Sequence, residues 1–199
     1  MSGPRGTGEL RKAAGEIFQA ALDAANPRTA IHHHVHREGE RLLADGAVYD
    51  LSRGTVFVVG AGKACAAMAA AVEEVLGDRI RGGVVVVKDG TALPLRRIRV
   101  IQAGHPVPDA RGLEGTSAIL GLLTETRPED LVIVLISGGG SALLPAPVAG
   151  IDLIEKQAMT RALLACGATI EEINAVRKHC SRIKGGQMAR ALFPARSLT

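Results

Sequence analysis

The 199-residue sequence predicts an α/β fold: a Rossmann-like, doubly wound, mostly parallel sheet with helices on both faces. Three observations predict it. Hydrophobic residues make up 47% of the chain but aromatics only 2%, so the core must be filled by Ala, Val, Leu and Ile, the usual content of a parallel sheet under helices. Four short apolar, β-branched runs, at 55–59, 84–87, 98–102 and 131–136, read as strands buried on both faces. Helix candidates at 64–76 and 114–126 lie between them, and alternating strand and helix implies right-handed crossovers.

Taken in order, residues 1–50 read as a peripheral helical lead-in. Leu10, Ala13, Ala14, Ile17, Phe18, Ala21 and Leu22 recur at helix spacing, and Asn26-Pro27 ends the pattern, so this helix is expected to pack at the edge of the domain. Beyond the fourth strand, Asp152 with Glu155 and Thr169 with Glu172 mark two helix starts, the second a Thr-x-x-Glu capping box, with Gly167 between them. The chain then runs through Gly185-Gly186, a short helix and Phe193-Pro194-Ala195 to Ser197-Leu198-Thr199, which reads as entry into another strand. Residues 1–199 are therefore expected to form one domain whose natural polypeptide is longer.

The charge balance narrows the function. A net charge of +4 without stacking aromatics or a concentrated basic stripe argues against nucleic acid and suits a small anionic substrate. No window reaches the length of a membrane span, and Met1–Leu10 is Gly-rich and polar. Cys65, Cys166 and Cys180 are odd in number and far apart, as reduced thiols of a cytoplasmic protein would be. His32, His33, His34 and His36 have no Cys, Asp or Glu beside them in a zinc pattern and read as surface residues.

Four segments could carry chemistry. In Val58-Val59-Gly60-Ala61-Gly62-Lys63-Ala64, glycines between strand and helix allow close backbone approach, the helix start offers N–H groups, and Lys63 adds a positive charge. That is phosphate-binding equipment, although Cys65 replaces the third glycine of a dinucleotide motif and no Ser or Thr follows Lys63 as in a P-loop. An ordinary strand-to-helix turn is the alternative. The second segment, Ser137-Gly138-Gly139-Gly140-Ser141, follows a strand at the edge where open α/β sheets bind ligands. A serine-hydrolase elbow is disfavoured because the final glycine of G-x-S-x-G is missing.

The third segment, Gly104-His105-Pro106-Val107-Pro108-Asp109, is stiffened by two prolines, so His105 and Asp109 are held in fixed directions. Either could bind a hydroxyl or move a proton, and Asp109 could instead cap the next helix. In the fourth, Asn174 to Gly186, a helix through the segment and the preceding Ile173 would bury Ile173, Val176, Cys180 and Ile183. Asn174, Lys178 and Ser181 would then face away, with Arg177 and Lys184 at the flanks as an anion-binding cluster or a solvated basic face.

Together, Val-Gly-Ala-Gly-Lys-Ala around Lys63, Gly-His-Pro-Val-Pro-Asp at 104–109, Ile-Ser-Gly-Gly-Gly-Ser at 136–141, and Asn-Ala-Val-Arg-Lys-His with Ser-Arg-Ile-Lys-Gly-Gly at 174–186 resemble the glycerate 2-kinase family of the two-domain MOFRL type. Some of its members carry the name hydroxypyruvate reductase. The resemblance implies an N-terminal Rossmann-like domain, a smaller C-terminal domain missing from this chain, and ATP-dependent phosphorylation of D-glycerate to 2-phosphoglycerate with Mg2+ or another divalent cation. It also implies that Lys63 contacts the transferred phosphate, that Gly60, Gly62 and 137–141 hold phosphates or the glycerate carboxylate, and that Arg177 and Lys184 add charge. Whether His105 or Asp109 is the base stays open, as do the metal ligands and a homo-oligomeric state. Two other readings remain. One is an NAD(P)H-dependent hydroxypyruvate reductase using Asp89 for the ribose, and the other is a non-catalytic, anion-binding unit.

Overall fold

The computed structural model describes residues 6–199; the first half of the glycine-rich N-terminal stretch, residues 1–5, lies outside the described residues. In chain order the elements are α1 Thr7–Ala24, α2 Pro27–His34, β1 Val35–Glu38, β2 Arg41–Ala44, β3 Ala47–Asp50, β4 Val56–Ala61, α3 Cys65–Leu76, β5 Ile80–Lys88, β6 Ile98–Ala103 and α4 Ala110–Leu123. They continue with β7 Leu131–Ile136, α5 Gly140–Leu143, α6 Leu153–Ala165, α7 Ile170–His179, α8 Gln187–Leu192 and β8 Arg196–Leu198.

Five strands form one parallel sheet in the order β6-β5-β4-β7-β8. Every residue of β4 is buried, because each face of this central strand meets a separate core. Val56 and Val58 pack with Cys65, Ala69, Val72 and Leu76 of α3, while Phe57, Val59 and Ala61 pack with Ile119 and Leu123 of α4 and Leu192 of α8. This period of two on a doubly covered strand turns the continuous apolar runs into a sheet with helices on both faces. The final residues pair as expected, with Arg196, Ser197 and Leu198 opposite Leu131, Val132 and Ile133.

The lead-in departs from expectation twice. Residues 1–50 are not helical throughout, since β1, β2 and β3 form an antiparallel sheet of three strands. Its second turn carries Asp45 and Gly46 at φ 47° and 83°, the two-residue hairpin geometry that Asp-Gly favours. Asn26-Pro27 both ends α1 and begins α2, with the Asn26 side chain accepting from the Arg28 and Thr29 N–H groups and Pro27 at the first helical position. The expected edge packing of α1 also fails. None of its residues is buried, and Ile17 and Phe18 are 72% and 65% exposed.

After β7 the chain leaves the sheet for α6 and α7. Both begin with a full capping box, Asp152 with Glu155 and Thr169 with Glu172, and Gly167 at φ 73° separates them. These helices bury little; α7 buries nothing, and α6 buries only Lys156 and Thr160.

Candidate active site

Parallel strands carry all their carboxyl ends to one sheet edge, so the loops after β4, β6 and β7 gather there. The first and last interlock. Lys63 N–H donates to the Gly138 carbonyl at 2.9 Å, and Ala64 N–H donates to Ser137 Oγ at 3.1 Å. Ser137 thus caps α3 from the neighbouring strand, because Ala64 at the cap position has no side chain that could do so. Glycine is required at this seam: Gly62 has φ 146°, and a Cβ there would sit 2.0 Å from Ser137 Oγ. At Gly60 a Cβ would meet the Leu135 carbonyl at 2.1 Å.

The N–H groups of Lys63 and Ala64 are engaged at this seam, which leaves those of Ala66 and Ala67 without a partner in the first turn of α3 among the described residues. Groups on the second loop are free as well. Among the described residues, the N–H groups of Gly138, Gly139 and Ser141 make no hydrogen bond, and they sit at the first turn of α5. Gly139 has φ 95°, and a Cβ on it would lie 2.9 Å from His105 Nε2 and 3.3 Å from Lys63 Cε. Three segments therefore converge at this glycine. The Lys63 side chain is exposed and, among the described residues, has no carboxylate partner.

His105 is held below the usual histidine range by burial first, then by the charges of Lys63, Lys88 and Arg177. It is neutral near pH 7 and can accept a proton. Asp109 is otherwise occupied. Its Oδ1 accepts from Gly112 N–H at 3.0 Å, capping α4, and its Oδ2 accepts from Gly104 N–H at 3.0 Å and from Arg111. Burial pushes this carboxyl up, but the bonds from Gly112, Arg111 and Gly104 outweigh it and hold it below the ordinary aspartate value. Arg111 also forks onto both oxygens of Asp89, at 2.6 and 2.8 Å, so the residue suited to a ribose already has a bidentate partner.

Beside the glycine loop opens a cleft of about 560 Å³ lined by Ser137, Gly139, Gly140, Ser141, Asn174, Arg177, Lys178 and Lys184, with an apolar floor of Val134, Leu144 and Ile183. The basic segment reaches it in a different form from that expected. The α7 helix ends at His179, Val176 is exposed, and Ser181 is buried in a turn whose Ile183 and Lys184 N–H groups donate to its Oγ. Ser181 therefore shapes the turn and does not share a helix face with Asn174 and Lys178. Lys184 is pushed down to about 7 by burial, then by Lys156 and Arg177.

Lys156 was not marked by the sequence. It looks like a solvated residue of an ordinary helix, yet it is 4% exposed and its Nζ donates to the Cys180 carbonyl at 3.2 Å. Gln157 beside it donates to the Pro108 carbonyl at 2.8 Å, tying α6 to the His105 loop. The histidine run divides between α2 and β1: His32 pairs with Glu74, and His36 bonds the His33 carbonyl. The three cysteines carry free thiols. Among the described residues no cluster of His, Cys, Asp or Glu could hold a metal, and no helix is long and apolar enough to cross a membrane.

This chain is similar to known proteins over most of its length. An Agrobacterium vitis protein provisionally named hydroxypyruvate reductase is 54% identical over 146 residues, 73% of this chain and 38% of its own length. The D-glycerate 2-kinase of Thermotoga maritima is 41% identical over 94% of this chain and 42% of its own length. A crystal structure of a Pyrococcus horikoshii protein superposes with a TM-score of 0.86 at 37% identity, covering 99% of this chain and 43% of that one. The chain thus spans about two fifths of the length of the curated relatives it matches. A family model described as "Domain of unknown function (DUF4147)" matches residues 13–199, and on that match the chain belongs to the DUF4147 family.

Proposed function

We propose that this chain is the nucleotide- and phosphate-handling domain of an enzyme that transfers the γ-phosphoryl group of ATP to the 2-hydroxyl of D-glycerate. The observation that carries the reading is the convergence at Gly139, where an unpaired lysine, a neutral histidine and free backbone N–H groups meet beside a cleft with no carboxylate in its lining. Phosphoryl transfer asks for positioned positive charge more than covalent chemistry. In this mechanism the N–H groups of Gly138, Gly139 and Ser141 hold nucleotide phosphate oxygens, with Gly60 and Gly62 allowing the loops to close up. Lys63 stabilises charge on the moving phosphoryl group. His105, neutral near pH 7, accepts the proton of the substrate hydroxyl, while Asp109 holds the His105 loop onto α4.

Mg2+ would enter with the nucleotide, as it does in many kinases. The cleft lining contains no carboxylate, and Asp89 and Asp109 are committed to Arg111, so these residues do not fit a metal. A second domain and a homo-oligomer belong to the same proposal. They would cover exposed apolar residues such as Ile17, Phe18, Ile154 and Phe193. A cytoplasmic setting suits three free thiols.

The deciding experiment incubates this chain, and a chain extended to the length of its relatives, with ATP, Mg2+ and D-glycerate and identifies the product. Formation of 2-phosphoglycerate by the extended chain supports the reading. No product, together with NAD(P)H oxidation on hydroxypyruvate, would replace it with the reductase, a reading favoured by the name of the A. vitis relative but opposed by the Asp89–Arg111 fork and the buried Cys65. Binding without either turnover would leave an anion-binding unit.

A further inference from the structure

Lys156 on α6, Arg177 on α7 and Lys184 in the turn before α8 come from three separate segments, and their charges act on one another. Among the described residues no carboxylate pairs with any of them. Lys156 is almost fully buried, and Arg177 and Lys184 are half-buried. Lysine is seldom buried without a partner, because a desolvated cation is costly. The hydrogen bonds present do not neutralise it: among the described residues Lys156 Nζ reaches only the Cys180 carbonyl and Lys184 Nζ only the Leu144 carbonyl, each leaving further N–H groups unused. Three basic groups held together by a fold with no carboxylate among them are explained by an anion that joins them and keeps them charged.

Arg177 and Lys184 line the cleft, whereas Lys156 lies behind them and fixes the turn at Cys180. Lys63 and His105 meet at Gly139, part of the same wall of the cleft. A polyphosphate suits the loop, whose free N–H groups at Gly138, Gly139 and Ser141 can reach several phosphate oxygens. A compact oxyanion suits the trio, since a guanidinium forks onto a carboxylate and an ammonium adds a point charge.

We propose that Arg177 and Lys184 form the subsite for the carboxylate of the acceptor acid, with Lys156 as a positioning residue that holds their turn and adds its charge from behind. The name of the acid rests on the kinase reading; the oxyanion site does not. The test is calorimetric titration of the 199-residue chain with D-glycerate, inorganic phosphate and MgATP separately, at matched ionic strength, for the wild type, Lys156→Met and Lys184→Met. Each variant is expected to weaken D-glycerate binding about tenfold, the effect of removing one nearby charge in a partly dry site, and to leave MgATP within twofold. In the extended chain, Lys156→Met should raise the KM for D-glycerate without changing kcat or the KM for ATP, a split that a merely structural loss would not produce.

The proposal is overturned if wild type binds no D-glycerate, if both variants bind it as wild type does, or if they lose phosphate or MgATP instead. Should Lys156→Met not fold, Lys156→Gln takes its place, and if neither folds Lys184→Met decides. If the extended chain makes no phosphoglycerate while the variants still lose D-glycerate, the kinase reading falls and the subsite stands.

Discussion

Replacing Asp109 separates a structural carboxylate from a catalytic one, and the geometry sets the size of the effect. Asp109→Ala removes the cap on the Gly112 N–H, worth about 1 kcal/mol, and leaves the half-buried Gly104 N–H without its acceptor, worth roughly 1–2 kcal/mol. Arg111 keeps its fork on Asp89, and the exposed pair it loses adds no more than about 1 kcal/mol. The expected loss is therefore about 2–4 kcal/mol, a fall of roughly 5–12 °C in Tm for a domain of this size. Urea unfolding should show the midpoint moving with its slope unchanged. The folded-state pKa of Asp109 lies below its ordinary 3.8, so its contribution is complete above that value and is lost as pH falls through the lower, folded one. The difference between variant and wild type should accordingly be full at pH 7 and shrink in acid. A variant of wild-type stability, or a pH-independent loss, would refute the capping role, and lost turnover at unchanged stability would return Asp109 to the proton-transfer step.

Three other outcomes follow from the site. In a chain extended to its relatives' length, Lys63→Ala should leave Tm nearly unchanged and lower kcat by roughly two to four powers of ten, with Lys63→Arg restoring it only in part, as steady-state kinetics would read. Near-normal turnover of the alanine variant would make Lys63 a solvated residue. Gly62→Ala drives a methyl into Ser137 Oγ at a φ of 146°, and denaturant unfolding should show a loss of roughly 2–4 kcal/mol. Lys184 carries a pKa near 7 when folded against about 10.4 unfolded, so the unfolded chain binds more protons between them and the free chain should become more stable as pH rises through that window. Lys184→Met should flatten the rise in Tm scans across pH 6 to 10.5, and an unchanged rise would place its cause elsewhere.

The sequence alone determined the sheet and where its ligand edge lies. The apolar runs at β4, β5, β6 and β7 are legible because a strand buried on both faces must be apolar throughout, and parallel strands can only present their following loops together at one edge. That argument brings the loops after β4 and β7 to one edge without any distance. Local chemistry likewise announced the starts of α6 and α7 and the capping box of the second, and the Asp45-Gly46 turn of the β2–β3 hairpin is a local signal of the same kind. The tertiary structure decided what each polar group does once there. Ser137 caps a helix whose N-cap residue lies 73 residues earlier, Arg111 takes up both Asp89 and Asp109, and Lys156 lies buried behind Arg177 and Lys184. Periodicity records only which face of an element meets the core, whereas a hydrogen bond or a desolvated charge depends on partners far away in the chain, and those become neighbours only when the layers pack.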